Sequence, residues 1–148
     1  MRLSRKSEYA LLALIELGEN YDKQLVKIID ICNKRTIPKK YLEQILILLK
    51  GSGYVKSVRG ASGGYKLAKK PEDINIAEIV RLIDGPIAPV FSASVHFFEH
   101  TPIEQNPKLL KLLKDIRKYI ATKLEKTSIK DLIWFLVQCI LCIYTLYV

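Results

Sequence analysis

A chain of 148 residues, 49% of them apolar and only seven of them glycine, can build one compact domain with a helical extension, which excludes a largely disordered protein. Its formal net charge of +9 is unevenly spread: residues 1–70 hold 15 Lys/Arg against 6 Asp/Glu, while residues 71–148 hold 9 of each. The three cysteines, Cys32, Cys139 and Cys142, are odd in number and few, which excludes a disulfide framework and suits a reducing cytoplasm.

The opening MRLSRKSEYALLALIELG pairs basic residues with an apolar run. Glu8 and Glu16 interrupt it and no small-residue cleavage site follows, so a folded helix is expected rather than a signal peptide. That helix should run from an N-cap at Ser4 to Leu17, burying Ala10, Ala13, Leu14 and Leu17, with Gly18 and Asn20 ending it. A second helix is expected over Leu25 to Asn33, with Leu25, Ile28, Ile29 and Cys32 on one stripe and Cys32 a small core residue. A third should begin at Pro38 and bury Leu42, Ile45, Leu46 and Leu49. Lys39, Lys40, Glu43 and Gln44 fall off that stripe. A recognition helix needs this layout, polar at its first turns and buried beyond them. An ordinary helix with a solvated face reads the same way.

The next segment separates the two. Gly51 and Gly53 break the helix, and Tyr54–Arg59 can pair with Tyr65–Ala68 across a Gly-rich tip, residues 60–64. A helix followed by such a hairpin is how a winged helix-turn-helix ends. The tip lets backbone approach a phosphate or groove wall. It lacks the GxxxxGK[ST] pattern of a nucleotide loop. Arg59 has the reach for a narrow minor groove, and Lys56, Lys66, Lys69 and Lys70 would contact phosphates. The whole charge excess surrounds this segment, which a polyanion partner explains through counterion release. A merely solvated basic surface or a membrane-surface patch is the alternative.

Asn75 with Glu78 signals the start of a fourth helix, faced by Ile76, Ile79, Val80 and Ile83 and stopped at Gly85. GPIAP is then a stiff connector. Residues 90–106 read as irregular, with Thr101 and Glu104 capping one short turn. Asn106-Pro107 opens a long helix to about Glu125. Leu109, Leu113, Ile116 and Ile120 approximate a heptad seam, widened by Leu112, that suits pairing with a second copy. Packing within the chain is the alternative. Thr127 or Ser128 caps a last helix from Ile129. His96 and His100 are spaced i, i+4 beside Glu99, but no third ligand accompanies them, and no metal site is expected. The tail WFLVQCILCIYTLYV, residues 134–148, carries no charge. It reads as an extra helix buried in a dimer, a membrane anchor of marginal length, or an appended extension; the first is favoured over membrane contact. Cys139 and Cys142 form CxxC without a βαβ context, which reads as packing.

LSRKSEYALLALIELG, IPKKYLEQIL, GYVKSVRGASGGYKLAKKPEDI and AEIVRLIDGPIAPV together resemble the Rrf2 family of bacterial transcription regulators, and the similarity continues to TSIKDLI at residues 127–133. In that family IPxxYLEQ opens the recognition helix and SxRGxxGGYxLA forms the wing. The resemblance implies a mainly α fold with a small β-hairpin: a winged helix-turn-helix domain over residues 1–85, a connector and candidate sensor loop over 86–106, a dimerisation helix and a short helix over 107–133, and the apolar tail. It implies a homodimer on a dyad operator, acting as a cytoplasmic repressor without catalysis. Lys39, Lys40, Tyr41 and Gln44 would meet the major groove and Arg59 the minor groove, with Ser57, Ser62, Gly63, Gly64 and Tyr65 completing the DNA-binding set. Sensors of the family hold an iron–sulfur cluster on three cysteines after the connector. This chain has no cysteine between residues 33 and 138, so no cluster or other cofactor is expected, and the chain resembles the branch that senses metabolic state through a partner protein or an unknown ligand. A second function is kept: a protein-interaction or membrane-associated module whose C-terminal half docks a metabolic enzyme or a membrane. No nucleophile–base pair supports an enzyme.

Overall fold

A computed structural model of the chain describes residues 2–95 and 97–133. His96 and the tail 134–148, with Cys139 and Cys142, lie outside the described residues, and so do the expectations placed on them.

Ser4 caps the first helix as expected. Its hydroxyl accepts the Ser7 N–H at 3.2 Å, and α1 spans Arg5–Glu19 with Ala10, Ala13, Leu14 and Leu17 buried. Gly18 does not end α1. It sits inside the helix because residues 129–133 cross there, and a Cβ at Gly18 would lie 2.6 Å from the Ile133 Cδ1. A glycine inside a helix costs about 1 kcal/mol relative to alanine, which this close approach offsets.

The second helix, α2 (Ile28–Arg35), starts three residues later than the sequence suggested. The reason is non-local. Val26 is extended and exchanges backbone hydrogen bonds with Tyr65 at 3.0 and 2.9 Å, which removes Leu25 and Val26 from the helix. The buried stripe shifts accordingly: Ile31 and Cys32 are buried, whereas Ile29 is 47% exposed.

Pro38 is the N-cap of α3 (Lys39–Gly51), so the helix begins one residue later than expected. Leu42, Ile45, Leu46 and Leu49 are buried as their spacing requires, each stabilising by roughly 1.5–3 kcal/mol. Gly53, at φ +76, turns the chain into β1 (Val55–Val58), which pairs antiparallel with β2 (Gly64–Leu67). The register sets Val55 against Leu67, Lys56 against Lys66, Ser57 against Tyr65 and Val58 against Gly64. Val26 adds a short third rung beside β2.

In α4 (Ile76–Asp84) the Asn75 side chain accepts the Glu78 N–H at 2.9 Å. The Glu78 carboxylate also accepts the Tyr54 hydroxyl at 3.2 Å, which ties the helix to the hairpin. Gly85 ends α4 at φ +81. The connector carries two single 3-10 turns, Phe91–Ala93 and Pro102–Gln105, and the second shows the expected Thr101–Glu104 capping box. Asn106 accepts the Leu109 N–H to start α5 (Pro107–Glu125).

After α5 the chain returns to the head. The Ile76 N–H donates to the Thr127 carbonyl at 3.0 Å and the Ile129 N–H to the Ile74 carbonyl at 2.9 Å. Ile129 is fully buried, and with Ile87 and Ala121 it joins the same core as α1–α4. The expected winged helix-turn-helix head is therefore completed by residues beyond position 85. Two polar clamps hold α1. Glu16 and Glu19 bind Lys34 and Arg35 of α2 at 2.7–2.9 Å. Burial alone would raise the Glu19 carboxyl, but hydrogen bonds and charge from Lys34 and Arg35 hold it below its ordinary value. At the other end the Ser4 N–H donates to Asp84 at 3.0 Å and the Ser4 hydroxyl at 2.5 Å, which likewise outweighs burial and lowers Asp84.

Candidate nucleic-acid interface

Two neighbouring elements present the predicted residues, the first turns of α3 and the hairpin. On α3, burying Leu42, Ile45, Leu46 and Leu49 turns Lys39, Lys40, Tyr41 and Gln44 to solvent. The Tyr41 ring is steadied edge-on by Tyr9 of α1, centroids 5.5 Å apart at 85°. Lys39 stands 4.0 Å from Glu43, one turn away. Lys40 and Gln44 make no side-chain hydrogen bond or ion pair among the described residues. The sequence reading passed over Ile47, which lies three residues beyond Gln44 on the same face and is 71% exposed. An apolar side chain there is chemically suited to a thymine methyl. Its signal in the sequence was that it falls off the stripe of α3.

The hairpin residues divide by role. Arg59 and Ser62 are exposed at the tip. Gly63 is required by the turn itself: its N–H donates to the Gly60 carbonyl at 2.9 Å, and a Cβ would lie 2.3 Å from the Val58 carbonyl oxygen. Gly64 is required by the Val26 rung, since a Cβ there would lie 2.8 Å from the Val26 carbonyl. Tyr65 is half-buried on that rung and packs against the core. Ser57 accepts the Lys50 ammonium at 2.7 Å, which fastens the hairpin to the end of α3. Ser57, Gly63, Gly64 and Tyr65 thus shape the wing, and Arg59 and Ser62 are what it presents.

Lys50, Lys56, Lys66 and Lys69 line one shallow depression on the hairpin's outer face. Lys56 and Lys66 are directly opposed in the strand register and both exposed. Like charges in that position destabilise a sheet. Lys69 stands 4.5 Å over the Tyr54 ring, whose negative face attracts it.

On α5 the predicted dimerisation residues separate. Leu109 and Ile116 are exposed, as are Leu112 and Tyr119, so the outer strip runs 109, 112, 116, 119. Leu113 and Ile120 are half-buried, and Ile120 packs on the head's core. Both phases keep a heptad spacing; the inner one is half-buried and the outer strip is left to solvent.

Comparison with known proteins bears on the fold and the family. Residues 3–134 match the profile of Rrf2, described as an iron-dependent transcriptional regulator. An rrf2-like HTH-type regulator of Rhodobacter capsulatus is 46% identical over 91 residues, which are 60% of this chain and 61% of that protein. The HTH-type transcriptional regulator CymR of Bacillus subtilis is 32% identical over 132 residues, 89% of each chain. The solved structure of CymR, the global cysteine regulator of B. subtilis, superposes with a TM-score of 0.76 at 30% identity, covering 91% of this chain and 98% of that one. That of T. potens IscR gives 0.69 at 27% identity, covering 89% and 85%.

Iron raises a question of donors. The sequence has no cysteine between Cys32 and Cys139. Cys32 is in the core, where burial pushes its thiol up and keeps it protonated. His100 is 3.1 Å from Glu104, and no three His, Cys, Asp or Glu side chains converge among the described residues. The donors among the described residues do not fit an iron–sulfur cluster, which is held chiefly by thiolates.

Proposed function

The chain belongs to the Rrf2 family of DNA-binding transcriptional regulators, and from that premise we propose that it represses transcription in the cytoplasm as a homodimer on a two-fold operator. In this reading α3 enters the major groove with Lys39, Lys40, Tyr41 and Gln44, and Arg59 of the wing reaches the adjacent minor groove. The observation that carries the reading is the opposed pair Lys56 and Lys66 within a four-lysine depression. Its repulsion is relieved by phosphates at the wing. The exposed strip of Leu109, Leu112, Ile116 and Tyr119 supports pairing of α5 with its copy, since a 3-4-3 spacing is what a helix–helix seam uses. The sequence's lack of any cysteine between Cys32 and Cys139 supports regulation without the family's three-cysteine iron–sulfur cluster. Docking to an enzyme or a membrane draws no support from the relatives, which are transcriptional regulators. Among the described residues no helix is long and apolar enough to cross a membrane.

Anisotropy with DNA from the gene's own upstream region, at two salt concentrations, tests this. The affinity should fall with salt with a slope of about −0.9 per neutralised phosphate and exceed that for unrelated DNA by ~10³-fold or more. Equal, weak binding to both DNAs would refute a specific regulator.

A further inference from the structure

Between α4, the connector and α5 lies an open cleft of about 180 Å³. At about 30 Å³ per water that is room for roughly six waters, or one small molecule. Its charge is unbalanced in a particular way. Arg81 of α4 and Glu125 of α5 both line it, but they pair with each other and spend their charges. Arg117 and Lys118 of α5 line it too, and neither has an acidic partner among the described residues. The Arg117 Nε is buried and has no hydrogen-bond partner among the described residues. An arginine left half-buried without a carboxylate partner is costly, and an oxyanion in the cleft is the partner that would suit its guanidinium best. Two hydroxyls, Ser94 and Thr122, lie on the same lining. Ser94 already accepts the Phe97 N–H at 3.0 Å, so its own proton is available to donate. Pro86, Ile87 and Ala121 supply apolar wall beside these donors.

We propose that this cleft binds a small oxyanion, a carboxylate metabolite or inorganic phosphate, through Arg117 and Lys118, and that its occupancy adjusts DNA binding. The cleft sits where such a signal can act. One wall is α4, which the Tyr54–Glu78 hydrogen bond joins to the wing. The opposite wall is α5, whose outer strip is the proposed dimer seam. An anion held between them fixes the head relative to the seam, and linkage requires DNA and anion to alter each other's affinity by the same factor. The coupling to DNA rests on the function proposed above; the anion site does not.

Calorimetric titration of the full chain with succinate and, separately, phosphate, against chloride of matched ionic strength, tests the site without DNA. Saturable binding of either anion is expected, and whichever binds more tightly identifies the source. Arg117→Gln should weaken it about tenfold, the worth of one charge-assisted hydrogen bond. Lys118→Gln, on the exposed side of the cleft, should weaken it less and keeps the test valid if the first variant misfolds. Neither anion binding beyond chloride, or binding that both variants leave unchanged, would overturn the site. Anisotropy on DNA with and without the bound anion then reads the coupling. An unchanged DNA affinity would overturn the regulatory part while leaving the site in place.

Discussion

The face made by α3 and the wing and the outer face of α5 are both left unfinished, but in different currencies. The first leaves charge unpaired: Lys40 and Arg59 stand exposed and Lys56 opposes Lys66. The second leaves apolar surface uncovered, with Leu112 55% and Tyr119 68% exposed. Unpaired cations suit a polyanion, whose counterions they release. Uncovered apolar residues at heptad spacing suit another helix. The contrast teaches that the two surfaces take different kinds of partner, and each can be broken separately.

The largest effect is expected from the α5 face. Leu112→Glu combined with Ile116→Glu should give a monomer by analytical ultracentrifugation and weaken operator binding on the order of 10²-fold or more, because two linked half-sites bind far more tightly than one. The head should keep its fold, since both residues point away from the core. Next comes the shape of the wing. Gly63→Ala puts a Cβ against the Val58 carbonyl and should cost about 1–3 kcal/mol in denaturant unfolding. Arg59→Ala should cost about 1–3 kcal/mol of DNA binding and relax base preference at the positions the wing reaches, with stability unchanged. If it leaves affinity and preference alone, the wing assignment is wrong.

Lys66→Gln sharpens the comparison because its two effects have opposite signs. It should stabilise the hairpin by about 0.2–1 kcal/mol through loss of the Lys56 repulsion, measured by thermal unfolding. It should also reduce the salt slope of DNA binding by about 1. The smallest effect is on pH dependence. Glu19 and Asp84 are held below their ordinary values in the folded chain, so their stabilisation is present above about pH 4–5 and is lost as pH falls through their folded values. Glu19→Gln should flatten that acid limb of a stability–pH curve.

Where local pattern decided the structure, the sequence was enough. The 3-4 spacing placed the buried faces of α1 and α3, and side-chain caps at Ser4, Asn75 and Asn106 marked helix starts. Where a distant segment decided it, the sequence was silent. The late start of α2 depends on Tyr65, thirty-nine positions away from Val26, and the helical place of Gly18 depends on Ile129 and Ile133. The two seams of α5 were both apolar, so periodicity could not choose between Leu113 with Ile120 and Leu112 with Tyr119; contact with the head chose. On the candidate interface the exposed residues of α3 and Arg59 were legible from spacing and motif. That Ser57, Gly63, Gly64 and Tyr65 build the wing instead of presenting it needed the hydrogen bonds and the register.

Selection of duplexes from a random pool by the full chain tests the central claim most directly. A two-fold symmetric consensus is predicted, with half-sites about 10 bp apart or a multiple of that, as paired recognition helices on one face of the duplex require. A pool that stays unenriched, or a consensus without two-fold symmetry, would contradict it.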